Sequence, residues 1–392
     1  AAEPAGSPFR GEALMPSGLA ALEAMGLTPL LEGVRRRPLT GWEMQVNGRT
    51  LFRALEPWGA DIPCTLVPQD DLLRALLERC RRQPGLSLVL GRDVSDLLRT
   101  DDGRIAWVRL ADGSNLRASL VIAADGRDSS LRRLAGLELD AGPGPGLIVD
   151  WYALPEPPQA PAAEAAETIF LSVIAAGQLF SLFRSARGDC RHLALVREPH
   201  DPPHAGGDRL ARELAAIAPA ELAAGLLEQG EALQRPISLQ VQVAQARSWH
   251  RPGLLLLGDA AHPMSPVRAQ GLNMALRDAL VAGRLLAGAL GGQAGVAPAD
   301  PASLDRTLAA IEARRRPEIT AMQRLQAQET RRGLLLRRQP LLRAALAAGA
   351  PWLGQHLKHH WMTSQLPLRF GLDDLSDDGR MPAPSCLLYT SP

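Results

Sequence analysis

In the stretch LLLLGDAAHPMSPVRAQGLNMALRDA, residues 254–279, a carboxylate stands between two kinds of structure. Four leucines suit a buried strand, Gly258 and Asp259 end it, and helical spacing resumes at Gln270, Gly271, Leu272 and Asn273. A helix opening there gathers free backbone N–H groups and the positive end of the helix dipole at one point. That point attracts an anion. Helix N-termini hold phosphates in this way, but Asp259 would repel a phosphate held close to it. A ligand that offers hydroxyls to the carboxylate and electron-rich carbonyl oxygens to the helix satisfies both. A ribityl chain carrying an isoalloxazine ring is such a ligand.

At these residues the sequence resembles the class A flavoprotein monooxygenases. Gly258, Asp259, Ala260, Ala261, His262, Pro266, Gly271 and Asn273 match the family's Gly-Asp-Ala-Ala-His, proline and Gly-x-Asn pattern. The resemblance implies cofactor-binding roles for Asp259, on the ribityl chain, and for Pro266, Gly271, Leu272 and Asn273, around the N1 and C2 carbonyl side of the ring. Where many members carry a second glycine, this chain has Arg268 and Ala269. A second match, ADGRDSSLRRLAG at 124–136, puts Asp125 and Gly126 at the end of another apolar strand, with Ser129 and Arg132 behind them. It implies that Asp125 lies near the flavin pyrophosphate. By the same resemblance Arg10 reaches the FAD phosphates, Gln69 contacts the cofactor, and Val94 touches the adenine through its backbone. His262 reads as structural, because the flavin carries the chemistry.

Each motif alone is an ordinary turn or helix cap. Together, in family order and each behind a buried-looking strand, they favour a flavin fold. The activity so implied is an FAD-dependent, NAD(P)H-dependent monooxygenase that hydroxylates an aromatic or polyketide-like small molecule with O2, through a flavin hydroperoxide. An FAD-dependent reductase or dehydrogenase of an isoprenoid-like substrate shares the fold, and a non-catalytic truncated remnant is a third reading. That third reading arises because the sequence contains no G-x-G-x-x-G turn. The Gly142–Gly146 run cannot replace it, since its prolines remove N–H donors. The chain is therefore expected to lack one βαβ segment of roughly 30 residues, and to bind FAD poorly without it.

The elements that must position these residues follow from spacing. A helix is expected from Leu14 to Met25, a hairpin over Trp42–Phe52 turning at Asn47-Gly48, and a helix from Gln69 with Asp70 as its N-cap. Strands are expected at Leu86–Leu90, Ile105–Leu110 and Leu120–Ala124, then at Leu147–Leu154, Thr168–Ala175, Leu179–Arg184 and His192–Val196, with one helical interval over Asp208–Glu228. On strand alternation either Phe180, Leu182 and Arg184, the set taken as substrate-facing, or Leu179, Ser181 and Phe183 face the ligand.

The fold class is α/β plus antiparallel β. A Rossmann-like FAD-binding domain, incomplete at the N-terminus, takes 1–35, 68–140 and 246–300; a β-sheet substrate domain takes 36–67 and 141–245; C-terminal helices take 301–385. The closing residues 386–392, CLLYTSP, fit no element and read as an artefactual or disordered tail.

Composition narrows the rest. Forty-three basic against forty-two acidic residues leave no global field for nucleic acid. Lys358 is the one lysine, and the excess of Arg, Ala, Gly and Pro suits a GC-rich bacterial genome. Four scattered cysteines form no C-x-x-C pair and point to a reducing cytoplasm. No apolar run is long enough for a transmembrane segment. His356, His359 and His360 lack Cys or carboxylate company and read as a polar helix face, so no metal is expected. From Leu304 to Gly349, ten arginines outnumber four acids, which suits a solvated or packing face, with weak peripheral contact to anionic lipid as the alternative.

Overall fold

The computed structural model describes residues 12–156, 167–290, 300–372 and 375. Arg10 and the closing CLLYTSP lie outside them. Helix α1 (Pro16–Ala24) opens with proline at its first position and buries Ala21 and Leu22. Asn47 and Gly48 adopt φ of 49° and 73°, the left-handed pair that a two-residue hairpin turn requires. Strands β1 (Gly41–Val46) and β2 (Arg49–Leu55) accordingly close as a hairpin.

Helix α2 spans Gln69–Arg81, but Pro68, not Asp70, occupies its N-cap. Asp70 and Asp71 sit in the first turn, where they favour the helix dipole and pair with Arg187 at 2.7 and 2.9 Å. The expected strand at Leu86–Leu90 joins no ladder among the described residues, and Leu86, Leu88 and Val89 are exposed. Among the described residues no strand lies alongside it to pair. A meander follows, of β3 (Val94–Arg99), β4 (Ile105–Leu110) and β5 (Asn115–Arg117), leading into β6 (Val121–Ala123) and the short α3 (Ser130–Leu134).

The next strands are β7 (Leu147–Pro155), β8 (Ile169–Ala175), β9 (Gln178–Arg184) and β10 (Cys190–Arg197). Pro219 splits the expected helical interval into α4 (Gly207–Ala215) and α5 (Ala220–Leu227), and β11 (Ile237–Val241) follows. These strands and the early hairpin form one seven-stranded sheet, ordered β11-β7-β10-β9-β8-β1-β2, in which only the β8–β1 pair is parallel. Alternation gives it two apolar faces. Tyr152, Leu154, Phe180, Leu182 and Leu193 pack against α4 and α5, while Trp42, Phe170 and Phe183 face Met15, Leu39 and Trp361.

Two further strands, β12 (His250–Arg251) and β13 (Leu254–Leu256), complete a small sheet in which β13 runs parallel to β6. Three long helices close the chain: α6 (Gln270–Ala289), α7 (Pro301–Arg338), capped by the Asp300 side chain, and α8 (Pro340–Phe370). Leu254 and Leu256 are fully buried with Met274, Ile319 and Met322, so the leucine run is anchored from both α6 and α7. Each such side chain contributes about 1.5–3 kcal/mol by leaving water.

Candidate functional site

The two acidic motifs end adjacent parallel strands. Leu254 pairs with Val121 and Leu256 with Ala123, and the Leu257 amide continues the ladder to the Ala123 carbonyl at 2.9 Å. Asp125 and Asp259 therefore emerge at the carboxyl ends of neighbouring strands, where open α/β sheets place ligands.

Asp125 is exposed and caps α3, accepting from the Leu131 amide at 3.1 Å and from the Ser129 and Ser130 hydroxyls. Ser129 in turn accepts from the Arg132 amide at 3.0 Å. The buried Arg132 donates to the Ala260 carbonyl at 3.0 Å and to the Arg127 carbonyl at 3.2 Å, tying one motif to the other.

Asp259 lies in the turn after β13, and burial raises its pKa above the usual carboxylate range against the opposing pull of Arg127 and His262. Beyond it the chain crosses Pro266 to reach α6 through two consecutive left-handed residues, Arg268 (φ 57°) and Ala269 (φ 51°). Neither is glycine, so the corner is strained and must be held. Four amide side chains hold it. Gln270 donates to the Arg268 carbonyl at 2.8 Å, Asn273 to the Ala269 carbonyl at 2.7 Å, Gln323 to the Pro263 carbonyl at 3.1 Å, and Gln326 to the Ser265 and Val267 carbonyls at 2.8 and 2.6 Å. The loop's carbonyls are thus consumed from behind. Ala269 at the N-cap has no side-chain oxygen, so the first-turn amides of α6 stay uncapped by it.

Under the loop lies a buried charge network that sequence reading missed. Asp278 accepts from His262 Nε2 at 2.6 Å, Arg315 Nε at 2.8 Å and the Gly258 amide at 3.3 Å. Glu318 accepts from Arg277 at 2.7 Å, from Arg315 and from the Leu372 amide. Burial alone would raise Asp278, but His262 and Arg315 outweigh it and hold the carboxyl down at about 2. The available signal was the Arg315 and Glu318 spacing, which puts both on one helical face.

On the side of the large sheet, the guanidinium of Arg268 stands over the rings of Trp42 and Trp361, 5.2 and 4.9 Å from their centres, and pairs with Glu329 at 3.2 Å. Phe170 lies 4.9 Å from Trp42 and stacks on Phe183 at 5.2 Å. This aromatic cluster joins the strained loop to β1, β8 and β9.

Of the residues singled out from sequence, Asp259, Pro266, Gly271, Leu272 and Asn273 come together at this corner. Asn273 is fully buried, and its amide is engaged by the Met15 amide at 2.8 Å and the Ala13 and Ala269 carbonyls. It fixes α1 against α6. Gln69 is the half-buried first residue of α2. Val94 opens β3 in a groove of about 410 Å³ that it shares with Val108 and Val121. Phe180 and Leu182 turn away, toward α4 and α5, and Arg184 pairs with Glu156. Of the two alternating sets, the one containing Phe183 reaches the aromatic cluster, while Phe180 and Leu182 pack on the opposite face.

A family model described as FAD binding domain matches residues 37–316. The chain belongs to that family. It is 34% identical over 342 residues to 6-methylpretetramide 4-monooxygenase of Streptomyces rimosus, spanning 82% of this chain and 75% of that protein. Ubiquinone hydroxylase UbiL of Rhodospirillum rubrum is 33% identical over 76% of this chain and 65% of its own length. The crystal structure of pqsL, a probable FAD-dependent monooxygenase from Pseudomonas aeruginosa, superposes with a TM-score of 0.70, covering 89% of this chain and 91% of that one at 23% identity, which establishes the shared fold. The class A monooxygenase assignment, the α/β plus antiparallel β fold with C-terminal helices, and FAD as cofactor stand on these findings.

The corner fits such a cofactor. A half-buried, partly desolvated carboxylate calls for hydroxyl donors, and the uncapped helix start calls for acceptors. Gly271 keeps the space between them open: a Cβ there would lie 3.8 Å from Asp259 Oδ1.

Gly18 tests how tightly the corner is held. A Cβ at Gly18 would fall 2.1 Å from Asn273 Oδ1, and Asn273 has no free volume to retreat into. Gly18→Ala is expected to destabilise by about 1–3 kcal/mol, read as a lower midpoint in urea. An unchanged midpoint would show that Asn273 does not brace α6.

Proposed function

We propose that this family member is an NAD(P)H-dependent monooxygenase that hydroxylates an aromatic or polyketide-like small molecule. The supporting observation is the aromatic cluster of Trp42, Phe170, Phe183 and Trp361 set against the Arg268 loop, an apolar wall of one stacked and several tilted rings beside the candidate flavin corner. The names of the two relatives, one acting at position 4 of 6-methylpretetramide and one hydroxylating ubiquinone, agree with a planar oxygenated substrate.

In this reading residues 36–67 and 141–245 bear the substrate domain, and Asp259, Pro266, Gly271, Leu272 and Asn273 form the cofactor corner, with Asp125, Gln69, Val94 and Arg10 along the rest of the FAD. FAD supplies hydride acceptance and activation of O2 when bound. The chain's own residues do the rest. Asp259 accepts hydroxyls, the α6 amides oppose negative charge on the ring, and the apolar wall orients the substrate and excludes water. A cytoplasmic site of action, where NAD(P)H is present and Cys64, Cys80 and Cys190 stay as free thiols, belongs to the same reading.

The deciding experiment gives the FAD-loaded protein NADH or NADPH, a planar phenolic polyketide and isotopically labelled O2. One labelled oxygen atom per product is expected. Substrate oxidation without label would mean a dehydrogenase.

Asp259→Ala is expected to weaken FAD about 10- to 100-fold, the value of a hydrogen bond to a charged group, read by titrating flavin fluorescence. The pH dependence has a definite sign. Because the carboxyl is raised in the flavin-free protein, its ionised, hydroxyl-accepting form is lost as pH falls through that raised value, and FAD affinity falls with it. The flavin-free protein responds oppositely, gaining stability on acidification from the same group. Asp259→Asn should flatten both trends.

A further inference from the structure

Helix α8 is turned inside out over its first four turns. The exposed residues from 340 to 353 are Pro, Leu, Ala and Trp without a polar group, led by Leu341 at 83% and Trp352 at 82% exposure. The one charge in that stretch, Arg343, is buried beneath and donates to the Leu336 and Arg337 carbonyls and to Asn47 Oδ1. A solvated helix carries its charges outward, so this face is built to meet something other than water.

The surroundings say what. Between Glu329 and Asp373 the sequence has no acidic residue, while Arg331, Arg332, Arg338 and Lys358 flank the apolar face together with three histidines. Beside it, at the end of α7, an open cleft of about 400 Å³ is lined by Arg331, Arg338, Leu334 and Leu335, with Glu198 offsetting part of the Arg338 charge. Apolar surface within a basic rim matches an anionic bilayer surface, and a tryptophan at its end, Trp352, suits the headgroup boundary. A second copy would bring the same basic rim to a like charge. No helix of the described residues is long and apolar enough to cross a membrane, so the contact is one that lies on the surface.

We propose that the α7–α8 corner is a peripheral membrane-binding surface, with Leu341 and Trp352 entering the headgroup layer of an anionic leaflet and Arg331 and Arg332 meeting its phosphates. The proposal is independent of the substrate reading.

Flotation of the full FAD-loaded protein with vesicles tests it. Vesicles of equimolar phosphatidylcholine and phosphatidylglycerol should bind about tenfold or more tightly than pure phosphatidylcholine, and raising salt from about 0.1 to about 0.5 M should remove most of that gain. Leu341→Glu with Trp352→Glu should cut binding about tenfold or more, while Leu227→Glu, on the exposed side of α5, leaves it unchanged. Arg331→Gln with Arg332→Gln supplies a variant that spares the helix face and should lose only the anionic preference. Equal binding to both vesicle types, or full binding by the double glutamate variant, overturns the proposal. So does a dimer in sedimentation that the glutamate variant dissociates, coupled with no flotation, since the face would then belong to a second copy.

Discussion

Asp278→Asn is expected to destabilise the protein by about 3–5 kcal/mol at neutral pH and to lower its melting temperature by about 4–6 °C. The substitution keeps shape and one acceptor. It removes the charge that balances Arg315, which is wholly buried and otherwise shares Glu318 with Arg277. It also turns one oxygen into a donor that faces either His262 Nε2 or Arg315 Nε, both already donors or ring nitrogens held at hydrogen-bond distance. A buried cation left short of its partner costs more than the pair itself was worth. The pH dependence fixes the cause. Asp278 titrates at about 2 when folded against 3.8 as the ordinary value, so its contribution is full above the ordinary value and is lost as pH falls toward 2. The gap between wild type and Asp278→Asn should therefore close on acidification through that window. A variant within about 1 kcal/mol of wild type at neutral pH would show that the network is dispensable.

Why this network escaped the sequence is physical. Asp278, Arg277, Arg315 and Glu318 are charged residues on helices, and charge on a helix ordinarily means solvent. Only the packing of α6 on α7 brings them face to face. Local signals fared better where the backbone decides alone: the Asn47-Gly48 hairpin, the proline start of α1, and the turn from four leucines into Asp259 depend on neighbours in sequence and were legible. Leu86–Leu90 was misread for the complementary reason. Its composition is that of a strand, but a ladder needs a second strand, and composition carries no information about a partner. The facing of β9 likewise waited on three dimensions, since alternation gives two sets and only α4 and α5, packing on Phe180 and Leu182, decide between them. Asp125 and Asp259 were found by motif, yet the link between them, Arg132 to the Ala260 carbonyl, is a contact 128 residues apart.

The second large effect concerns Arg268, which the sequence marked only as a departure from glycine. Its backbone is strained, its Nε is buried without a hydrogen-bond partner, and its charge stands over two neighbouring indole rings with one carboxylate, Glu329, in reach. Glycine would relieve roughly 1 kcal/mol of left-handed strain, so the arginine is retained against a local cost. Cation–π contact with Trp42 and Trp361, at about 0.5–2 kcal/mol for each ring, is enough to offset that cost. A group kept there with an unsatisfied donor is suited to an acidic hydroxyl or enolate of a planar substrate laid against the same rings. Arg268→Ala is expected to raise KM for such a substrate about 10- to 100-fold, with FAD affinity changed less than about threefold, because a hydrogen bond to a charged donor is worth about 1.5–3 kcal/mol. Methylating the substrate oxygen should produce the same loss in wild type and little further loss in the variant. The alternative, that Arg268 only clamps the loop, predicts the reverse pattern: FAD affinity and melting temperature fall together, and Arg268→Gly, which removes the strain, recovers both.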